Sequence, residues 1–528
     1  MEDRGDRMGW KKAALGLLLS LAVALLFMLP RLERTKLHPL HDVGFNLAVL
    51  AQLDHCGGVG EYLETAARNR PQRFYPAYWV GQHLLWRLGG RSLDLFIPAN
   101  LVMLALLFFV AALLAMQLGG YHWFAILVLA AAPGMVENCH TIMKQELPLA
   151  LSQALLLLCL LPLAGREPLP RSRFLLCTGG AVATSLFAGL LKETAAIAGL
   201  ALLAWWVWVR LFARHLRPPR PRTITLLLLA LLSLALGVAA FLLREPGEYT
   251  GAVSFSPGVL LSVAGAYLQR LWLWALLAIL AGTMLYLRHR GEEKGGPVLL
   301  AVILCGGWLA GYLPWQTTQV RYLLPGFVLL APLAAGALGR DLEFWKGQVH
   351  RLRLPAYLLL ALVLLLLFQT LGAHRAESAA RLMADRSVRF LRHWLDRRPK
   401  GARVLVMLPE DEPIQELRAQ MAALHGRGDL VIEPLLKGRG FEAWKKGLLE
   451  LKASPPADCP IILPFVQGLP EHADRVFPLD EDLHSAVLEG TLKSLLGPAL
   501  VEVKRFPADK RLPLAAGFKI FRYNANGK

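Results

Sequence analysis

The sequence is poor in charged residues for its length. Asp, Glu, Lys and Arg make up 18% of the 528 residues, whereas hydrophobic residues make up 55% and the mean hydropathy is +0.44. Ordinary soluble domains carry about 25% charged and about 45–50% apolar residues. The composition therefore argues against an ordinary soluble enzyme. It also argues against a disordered chain, because disordered chains are poor in apolar residues.

Cysteine, nucleotide-binding motifs and repeats are also scarce or missing. Six cysteines in the whole chain are too few for a small secreted scaffold held by disulfides. The C-terminal part has no G-x-G-x-x-G or P-loop pattern, so nucleotide binding has no support there. No internal repeat is visible, which weighs against the transporter folds that are built from repeats.

Basic residues outnumber acidic ones by 57 to 39, and the formal net charge is +18. On a soluble protein such an excess suggests a nucleic-acid partner. In a membrane protein, however, Lys and Arg collect in the cytoplasmic loops. The basic excess is therefore attributed to membrane topology, and no nucleic-acid partner is expected.

Long apolar runs are what the sequence has in quantity. A helix needs roughly 20 apolar residues to cross a hydrocarbon core about 30 Å thick. The chain is therefore predicted to be a polytopic α-helical membrane protein with about 11 spans. The run 259–287 is too long for one span and contains Arg270, so its first part is interpreted as an interfacial helix. The runs lie near 13–30, 93–117, 121–136, 147–164, 174–191, 194–212, 223–243, 259–287, 297–315, 322–339 and 354–373.

The distribution of Lys and Arg orients these spans. The proposed inside segments hold 19 basic residues, whereas the four short outside loops hold four in all. The first run follows two lysines and no small-x-small cleavage site follows it, so it is interpreted as an uncleaved signal anchor. The prediction is a cytoplasmic N-terminus and an extracytoplasmic C-terminus in the inner (plasma) membrane. The inside segments are 1–12, 118–122, 165–173, 210–222, 288–296 and 340–353, and the outside loops are 138–146, 191–194, 244–258 and 314–321.

The chain is divided into a transmembrane domain, 1–373, with a first outer loop at 31–92, and a soluble extracytoplasmic domain, 374–528. In the second domain apolar runs alternate with helical patterns, which predicts a small α/β domain with a partly parallel sheet. The predicted strands are 404–408, 429–436, 461–466, 499–506 and 516–523, and the predicted helices are 376–398, 411–425, 440–453 and 481–496.

Apart from the basic residues of the inside segments, the unusual polar residues next to apolar spans all fall on the outer side under this topology, which indicates a reaction site at the outer leaflet. Asp42 is a candidate general base, and the alternative is a helix cap for the segment after it. Glu146 opens a span, where an acidic residue also favours the positive helix end. Lys144 is its candidate partner or a phosphate ligand. Lys192 is either half of a self-satisfied turn with Glu193 or a cation that faces a lipid phosphate.

A metal site in the first outer loop is a further alternative. Five residues of types that bind metals lie there without a strict motif, which is a weak signal. No metal ligand is assigned and no cofactor is identified with certainty, while a divalent metal stays an open alternative. The five residues are His38, His41, Asp42, Asp54 and His55.

Five short motifs along residues 10–340 follow one another in a recognisable order. The most specific is Arg-Tyr-Leu-Leu-Pro, which opens a late span. With these motifs the chain resembles the GT-C superfamily of membrane glycosyltransferases, in particular the protein O-mannosyltransferase and lipid A aminoarabinose transferase type. The motifs are His41-Asp42-Val43-Gly44-Phe45, Arg73-Phe74-Tyr75-Pro76-Ala77-Tyr78-Trp79, Glu146-Leu147-Pro148, Gly189-Leu190-Leu191-Lys192-Glu193 and Arg321-Tyr322-Leu323-Leu324-Pro325.

The resemblance implies a sugar transfer from a polyprenyl phosphate to a protein, lipid or glycan acceptor on the extracytoplasmic side. By this resemblance Asp42 is the catalytic base and Glu146 the second acidic residue. The lipid phosphate is assigned to cations with Tyr322 beside them, because a departing phosphate needs fixed positive charge. The binding candidates are Lys144, Lys192, Arg270, Arg321, Tyr322 and Tyr75.

Two other functions stay open. One is a transporter or flippase for a lipid-linked or anionic substrate, which needs charged residues along a path to both membrane faces. The other is a non-catalytic envelope scaffold whose outer α/β domain binds partners. The scaffold alternative draws on three departures from the family pattern: a Val after Asp42, a single Pro in the aromatic motif, and Glu rather than Asp at position 146.

The base assignment makes a direct prediction. The substitution Asp42→Asn removes the proton acceptor, so sugar transfer is expected to fall by about 10²–10⁴-fold while membrane insertion stays normal. The measurement is transfer from a purified polyprenyl-phosphate sugar, with the amount of inserted protein as the control. Full transfer by this variant would show that Asp42 is not the base.

Overall fold

The structure is a computed structural model of the whole chain. It describes residues 2–32, 43–68, 75–140, 144–243, 254–289, 295–315, 320–339, 353–409, 412–436, 446, 449–450, 453, 460–467, 500–506 and 515–523. Two compact units are present. The membrane unit comprises Met1–Leu29, Gly57–Leu84 and Ile97–His374, and the sheet unit comprises Pro30–Cys56, Leu85–Phe96 and Arg375–Lys528.

Helices dominate the described residues, as the long apolar runs predict. Nine of the described helices are long and apolar enough to cross a membrane, which defines a multi-pass membrane protein. The helices are α1 Glu2–Leu32, α2 Val43–Asp54, α3 Val59–Arg68, α4 Pro76–Leu88, α5 Phe96–Gln117, α6 His122–Ala130, α7 Pro133–His140, α8 Glu146–Ala164, α9 Arg171–Leu191, α10 Ala196–Leu211, α11 Arg220–Leu242, α12 Pro257–His289, α13 Gly295–Ala310, α14 Leu324–Leu338, α15 Arg353–Asp396 and α16 Glu412–His425.

Two predicted spans differ from the structure. The run 121–136 is broken into α6 and α7, because Pro133 has no N–H to continue the first helix and instead opens the second. The hydroxyl of Thr370 donates to the Ala131 carbonyl at the break, 2.6 Å away. The run 297–315 is a shorter apolar helix, α13, that gives way to a 3₁₀ turn at Leu313–Trp315.

Helix α12 has a break where its sequence predicts one. Leu271 leaves helical geometry, with φ −124° and ψ 21°, directly after Arg270. The predicted division of this long run into two parts is therefore present. That the first part lies in the membrane interface stays a prediction.

Helix α14 lies at the centre of the membrane unit. Every residue from Leu324 to Leu338 is buried, and α14 contacts α6, α8, α12 and α13. A helix that is apolar on all sides has no polar face for water, so it is buried in this way. Its first residue follows the 3₁₀ turn Val320–Leu323, which carries two of the predicted binding residues.

Glycines bring α10 and α11 close together. A Cβ atom on Gly237 would lie 2.4 Å from the Cβ of Ala196, the first residue of α10. A Cβ atom on Gly199 would likewise lie 2.6 Å from the backbone nitrogen of Leu234. Small residues let helix backbones approach in this way in membranes. This packing holds the start of α10, and therefore the turn that carries Lys192.

The sheet unit contains a five-stranded sheet in the order β2-β1-β3-β5-β4. Strand β1 pairs parallel with β2 and β3, whereas β5 pairs antiparallel with β3 and β4, so the predicted partly parallel sheet is confirmed. The predicted helices at 440–453 and 481–496 lie almost wholly outside the described residues. The strands are β1 Arg403–Pro409, β2 Val431–Leu436, β3 Pro460–Gln467, β4 Leu500–Phe506 and β5 Ala515–Tyr523.

Pieces of the first outer loop belong to the sheet unit. Helix α2 packs against α16 of the C-terminal part. At the end of α2, the buried Asp54 carboxylate accepts hydrogen bonds from the Trp86 indole at 3.2 Å and from Arg87 at 2.9 Å. Arg91 also forms an ion pair with Asp54 at 3.0 Å. These contacts compensate the negative charge of Asp54, which is one of the five residues considered as metal ligands.

The close approach of α10 and α11 makes a prediction about stability. In Gly237→Ala the new methyl group meets Ala196 backbone and side-chain atoms, so the free energy of unfolding is expected to fall by about 1–3 kcal/mol. Gly179→Ala is the matched control, because a Cβ atom there meets nothing within 4 Å. The measurement is thermal unfolding in detergent, and equal melting temperatures for the two variants would contradict the packing described.

Candidate functional site

A buried ion pair joins α8 to the turn after α9. Lys192 Nζ donates to Glu146 Oε1 at 3.0 Å, and the two side chains are 4% and 6% exposed. Lys192 is in an extended conformation that ends α9, and Glu146 is the first residue of α8. Lys192 lies between two candidate spans. Burial alone would lower its pKa, but the Glu146 carboxylate raises the pKa well above its usual range, so Lys192 is cationic.

Two cations contact one aromatic ring beside this pair. Lys192 Nζ lies 4.5 Å from the ring centroid of Tyr322, and the Arg321 guanidinium carbon lies 4.9 Å from the same centroid. Arg321 also donates a hydrogen bond to the Tyr322 hydroxyl at 3.0 Å. Because the face of an aromatic ring is electron-rich, it attracts cations. The ring therefore holds both positive charges at one place.

An aromatic stack supports Tyr322. The rings of Tyr312 and Tyr322 are stacked with centroids 5.6 Å apart, and Trp308 lies 6.3 Å from Tyr312. The Tyr312 hydroxyl donates to Thr194 at 3.1 Å, and the Trp308 indole donates to Gln153 at 3.3 Å. Burial raises the pKa of Tyr312 to about 12, so its hydroxyl keeps its proton.

Asn138 ties α7 to the turn that carries Arg321. Its side-chain amide donates to the Gly134 carbonyl at 2.7 Å and to the Arg321 carbonyl at 3.5 Å. A Cβ atom on Gly134 would lie 3.2 Å from the Val320 carbonyl oxygen, so glycine permits this close approach. The backbone of the turn is therefore held from two directions, by α7 and by the start of α14.

Further residues of the predicted site interact electrostatically with Glu146 and Lys192 or lie near Tyr322. Lys144 and Arg321 both interact with Glu146, and Tyr75 interacts with Lys192. Arg270 belongs to the same neighbourhood through Tyr267, which interacts with it and with Tyr322. The structure thus brings together Lys144, Glu146, Lys192, Arg321, Tyr322, Tyr75 and Arg270, whose roles stay predictions. Asp42 lies outside the described residues.

Several buried polar atoms around the ion pair have no hydrogen-bond partner among the residues that the structure describes, and three of them lie on Glu146, Asn138 and Gln153. These three atoms are Oε2 of Glu146, Oδ1 of Asn138 and Nε2 of Gln153. Buried polar groups are normally satisfied by protein, water or ligand. Two acceptors and one donor beside a cation pair suit a ligand that carries both hydroxyl groups and negative charge.

A metal centre has no counterpart in the described part of the chain. No group of three or more His, Cys, Asp or Glu side chains is placed there to hold a metal ion. His38, His41 and Asp42 of the metal alternative lie outside the described residues.

Several residues that support the ion pair and Tyr322 were not predicted from the sequence. Gln153 gives the clearest signal that was missed, because it follows Glu146 by seven residues and so lies on the same face of α8 two turns later. Thr194, Trp308 and Tyr312 gave no such signal, since aromatic residues and threonines are common near spans. Their assembly depends on contacts between α10, α13 and the 3₁₀ turns.

The fold is one that is known from other membrane proteins. The multi-pass helical body, together with the partly parallel C-terminal sheet, has the GT-C fold of membrane glycosyltransferases. The fold prediction made from the sequence motifs is confirmed.

Comparison with known proteins shows a likeness in fold, and this likeness is found by structure alone. No protein-family profile and no curated protein sequence matches the chain. The crystal structure of ArnT from Cupriavidus metallidurans bound to undecaprenyl phosphate matches with a TM-score of 0.51 and 13% identity over 97% of this chain and 98% of that chain. The apo oligosaccharyltransferase of Archaeoglobus fulgidus matches with a TM-score of 0.51 and 11% identity over 86% of this chain and 69% of that chain.

The buried ion pair makes a prediction about stability. Removing one partner leaves an uncompensated buried charge, so Lys192→Met and Glu146→Leu are each expected to lower the free energy of unfolding by about 3–5 kcal/mol. The double variant is expected to lose clearly less than the sum of the two. Thermal unfolding in detergent measures all three. Additive losses would show that the two charges do not stabilise each other.

Proposed function

We propose that the chain is an integral-membrane glycosyltransferase. It moves a sugar from a polyprenyl-phosphate donor to a protein, lipid or glycan acceptor on the extracytoplasmic face of the inner (plasma) membrane. The observation that carries the proposal is the pair of cations, Lys192 and Arg321, held on the ring of Tyr322. The ArnT neighbour, whose crystal structure holds undecaprenyl phosphate, supports a lipid phosphate as the ligand.

The position of the cations fits a phosphate that is attached to a membrane lipid. Lys192 lies between the ends of two apolar helices, and Arg321 lies just before the central helix α14. A polyprenyl chain partitions into the hydrocarbon region, whereas its phosphate is charged and lies near the surface. Cations at helix ends therefore meet the phosphate while the chain stays in lipid.

The reaction balances with the residues proposed for it. The acceptor oxygen or nitrogen attacks the anomeric carbon of the sugar, and its proton passes to Asp42. The bond between the anomeric carbon and the phosphate oxygen breaks, and its electron pair stays on the phosphate. The leaving polyprenyl phosphate gains negative charge in this step. Cations fixed in advance stabilise that charge more in the transition state than in the donor.

Aromatic and polar groups complete the proposed donor site. Tyr322 provides a ring face for Lys192, and Tyr75 interacts electrostatically with the same cation. The amides of Asn138 and Gln153 have hydrogen-bonding capacity for sugar hydroxyl groups. Arg270 and Lys144 add positive charge around the site. The four cations of the site outnumber the Glu146 and Glu193 carboxylates, which suits an anionic donor.

The test measures transfer in reconstituted vesicles with a polyprenyl-phosphate sugar of known composition. Lys192→Gln and Arg321→Gln each remove a charge that stabilises the leaving phosphate, so both are expected to lower transfer by about 10²–10³-fold. The control is Arg210→Gln, which removes the same charge at the other end of α10, where Arg210 stacks on Trp206.

Two outcomes would overturn the proposal. One is equal activity of the Lys192, Arg321 and Arg210 variants. The other is movement of lipid-linked sugar across sealed vesicles without any glycosyl product, which would identify a flippase. The mass of a lipid that co-purifies with the chain provides an independent check, and the expected mass is that of a polyprenyl phosphate or its sugar ester.

A further inference from the structure

We infer that Glu146 is the resting counterion of Lys192 and that the phosphate of the lipid takes its place when the donor binds. The inference rests on the proposed function and adds a role for Glu146 that is separate from acid–base chemistry. In this role the carboxylate competes with the phosphate for one cation. It sets how tightly the lipid binds and how readily the lipid leaves.

The charges around Tyr322 are the first reason. Lys192 and Arg321 hold two positive charges on one ring, and Lys144 also interacts with Glu146. Like charges at one buried place are costly unless an anion compensates them. Glu146 supplies one negative charge and the neighbouring Glu193, which interacts with Tyr312, supplies another. Lys144, Lys192 and Arg321 carry three positive charges, so the carboxylates compensate the cations only in part. A further anion is therefore attracted to the same place.

The geometry of the pair is the second reason. Glu146 contacts Lys192 through Oε1 alone, while Oε2 has no hydrogen-bond partner among the described residues. A carboxylate held through one oxygen is less firmly fixed than a bidentate one. Lys192 is a compact cation with three N–H donors, and the Glu146 carboxylate takes one. Nothing in this arrangement requires the pair to persist once a stronger anion arrives.

The charge of the lipid during the reaction is the third reason. The sugar donor is a phosphodiester with one negative charge, whereas the polyprenyl phosphate product is a monoester with about −1.5 to −2 at neutral pH. The phosphate gains negative charge as its bond to the sugar breaks, so it competes with Glu146 for Lys192 more strongly in the transition state than in the donor.

The experiment measures the binding of sugar-free polyprenyl phosphate to the purified full chain in detergent. In Glu146→Gln the competing charge is gone, so the affinity is expected to rise by about tenfold or more, which corresponds to about 1.4 kcal/mol. The matched control is Glu193→Gln, which removes a half-buried carboxylate from the next turn without touching the ion pair. Its affinity is expected to stay close to that of the wild type.

Two further variants keep the test decisive if Glu146→Gln folds poorly. Glu146→Asp keeps the charge on a shorter side chain, so an intermediate gain in affinity is expected. In the double variant Lys192→Met/Glu146→Gln, the rise in affinity for the lipid is expected to be absent. The cation for which the carboxylate and the phosphate compete is missing there. The increase in melting temperature on adding the lipid provides a second readout, since a ligand stabilises the folded state by mass action.

The outcomes separate this inference from the proposed function. If the wild-type chain does not bind polyprenyl phosphate at all, the proposed function fails. If the wild type binds it and Glu146→Gln binds it equally or more weakly, the proposed function stands and the inference is wrong. In that case Glu146 contacts the lipid or its sugar directly. An equal rise in affinity in Glu193→Gln would also overturn the inference. It would show that removing any negative charge near the site strengthens lipid binding.

Discussion

A charged pair buried between apolar helices governs the arrangement of this site. Lys192 and Glu146 are almost inaccessible to water, and each charge is costly there unless an opposite charge compensates it. The ion pair between Lys192 and Glu146 forms only if the end of α9 lies next to the start of α8. That requirement in turn brings Tyr322, and Arg321 with it, against Lys192. The packing of α10 against α11 through Gly237 and Gly199 holds the same turn from the other side.

The site is supported mainly by aromatic and amide side chains. Trp308, Tyr312 and Tyr322 form a stack that starts at Gln153 within α8 and ends at the cations. Rigid rings lose little conformational entropy when they are fixed, so they are suited to holding charges in place. Cations held in advance are what the proposed leaving phosphate requires, since its charge develops within one chemical step.

The sheet unit contains parts of the first outer loop as well as the C-terminal part of the chain. Helix α2, which begins one residue after Asp42, packs against α16. Asp54 at the end of α2 is held by Arg87 in the last turn of α4 and by Arg91 after it. Parts of the first outer loop and the C-terminal part therefore share one compact unit. Deleting the C-terminal part removes the packing surface of α2, so loss of transfer after such a deletion does not by itself distinguish a catalytic role from a scaffold role.

The sequence by itself determined the class of the protein, because apolar runs of span length and alternating strand and helix patterns are local signals. It also supplied Glu146, Lys192, Arg321 and Tyr322 as candidates, since charge beside apolar spans is costly and so stands out. Only the tertiary structure decided that Glu146 forms its ion pair with Lys192, that Tyr322 contacts two cations, and that Gln153, Thr194 and Tyr312 support them. The hydrogen bonds of Glu146, Thr194 and Gln153 join residues 46, 118 and 155 positions apart. They depend on how the helices pack, which no local pattern encodes.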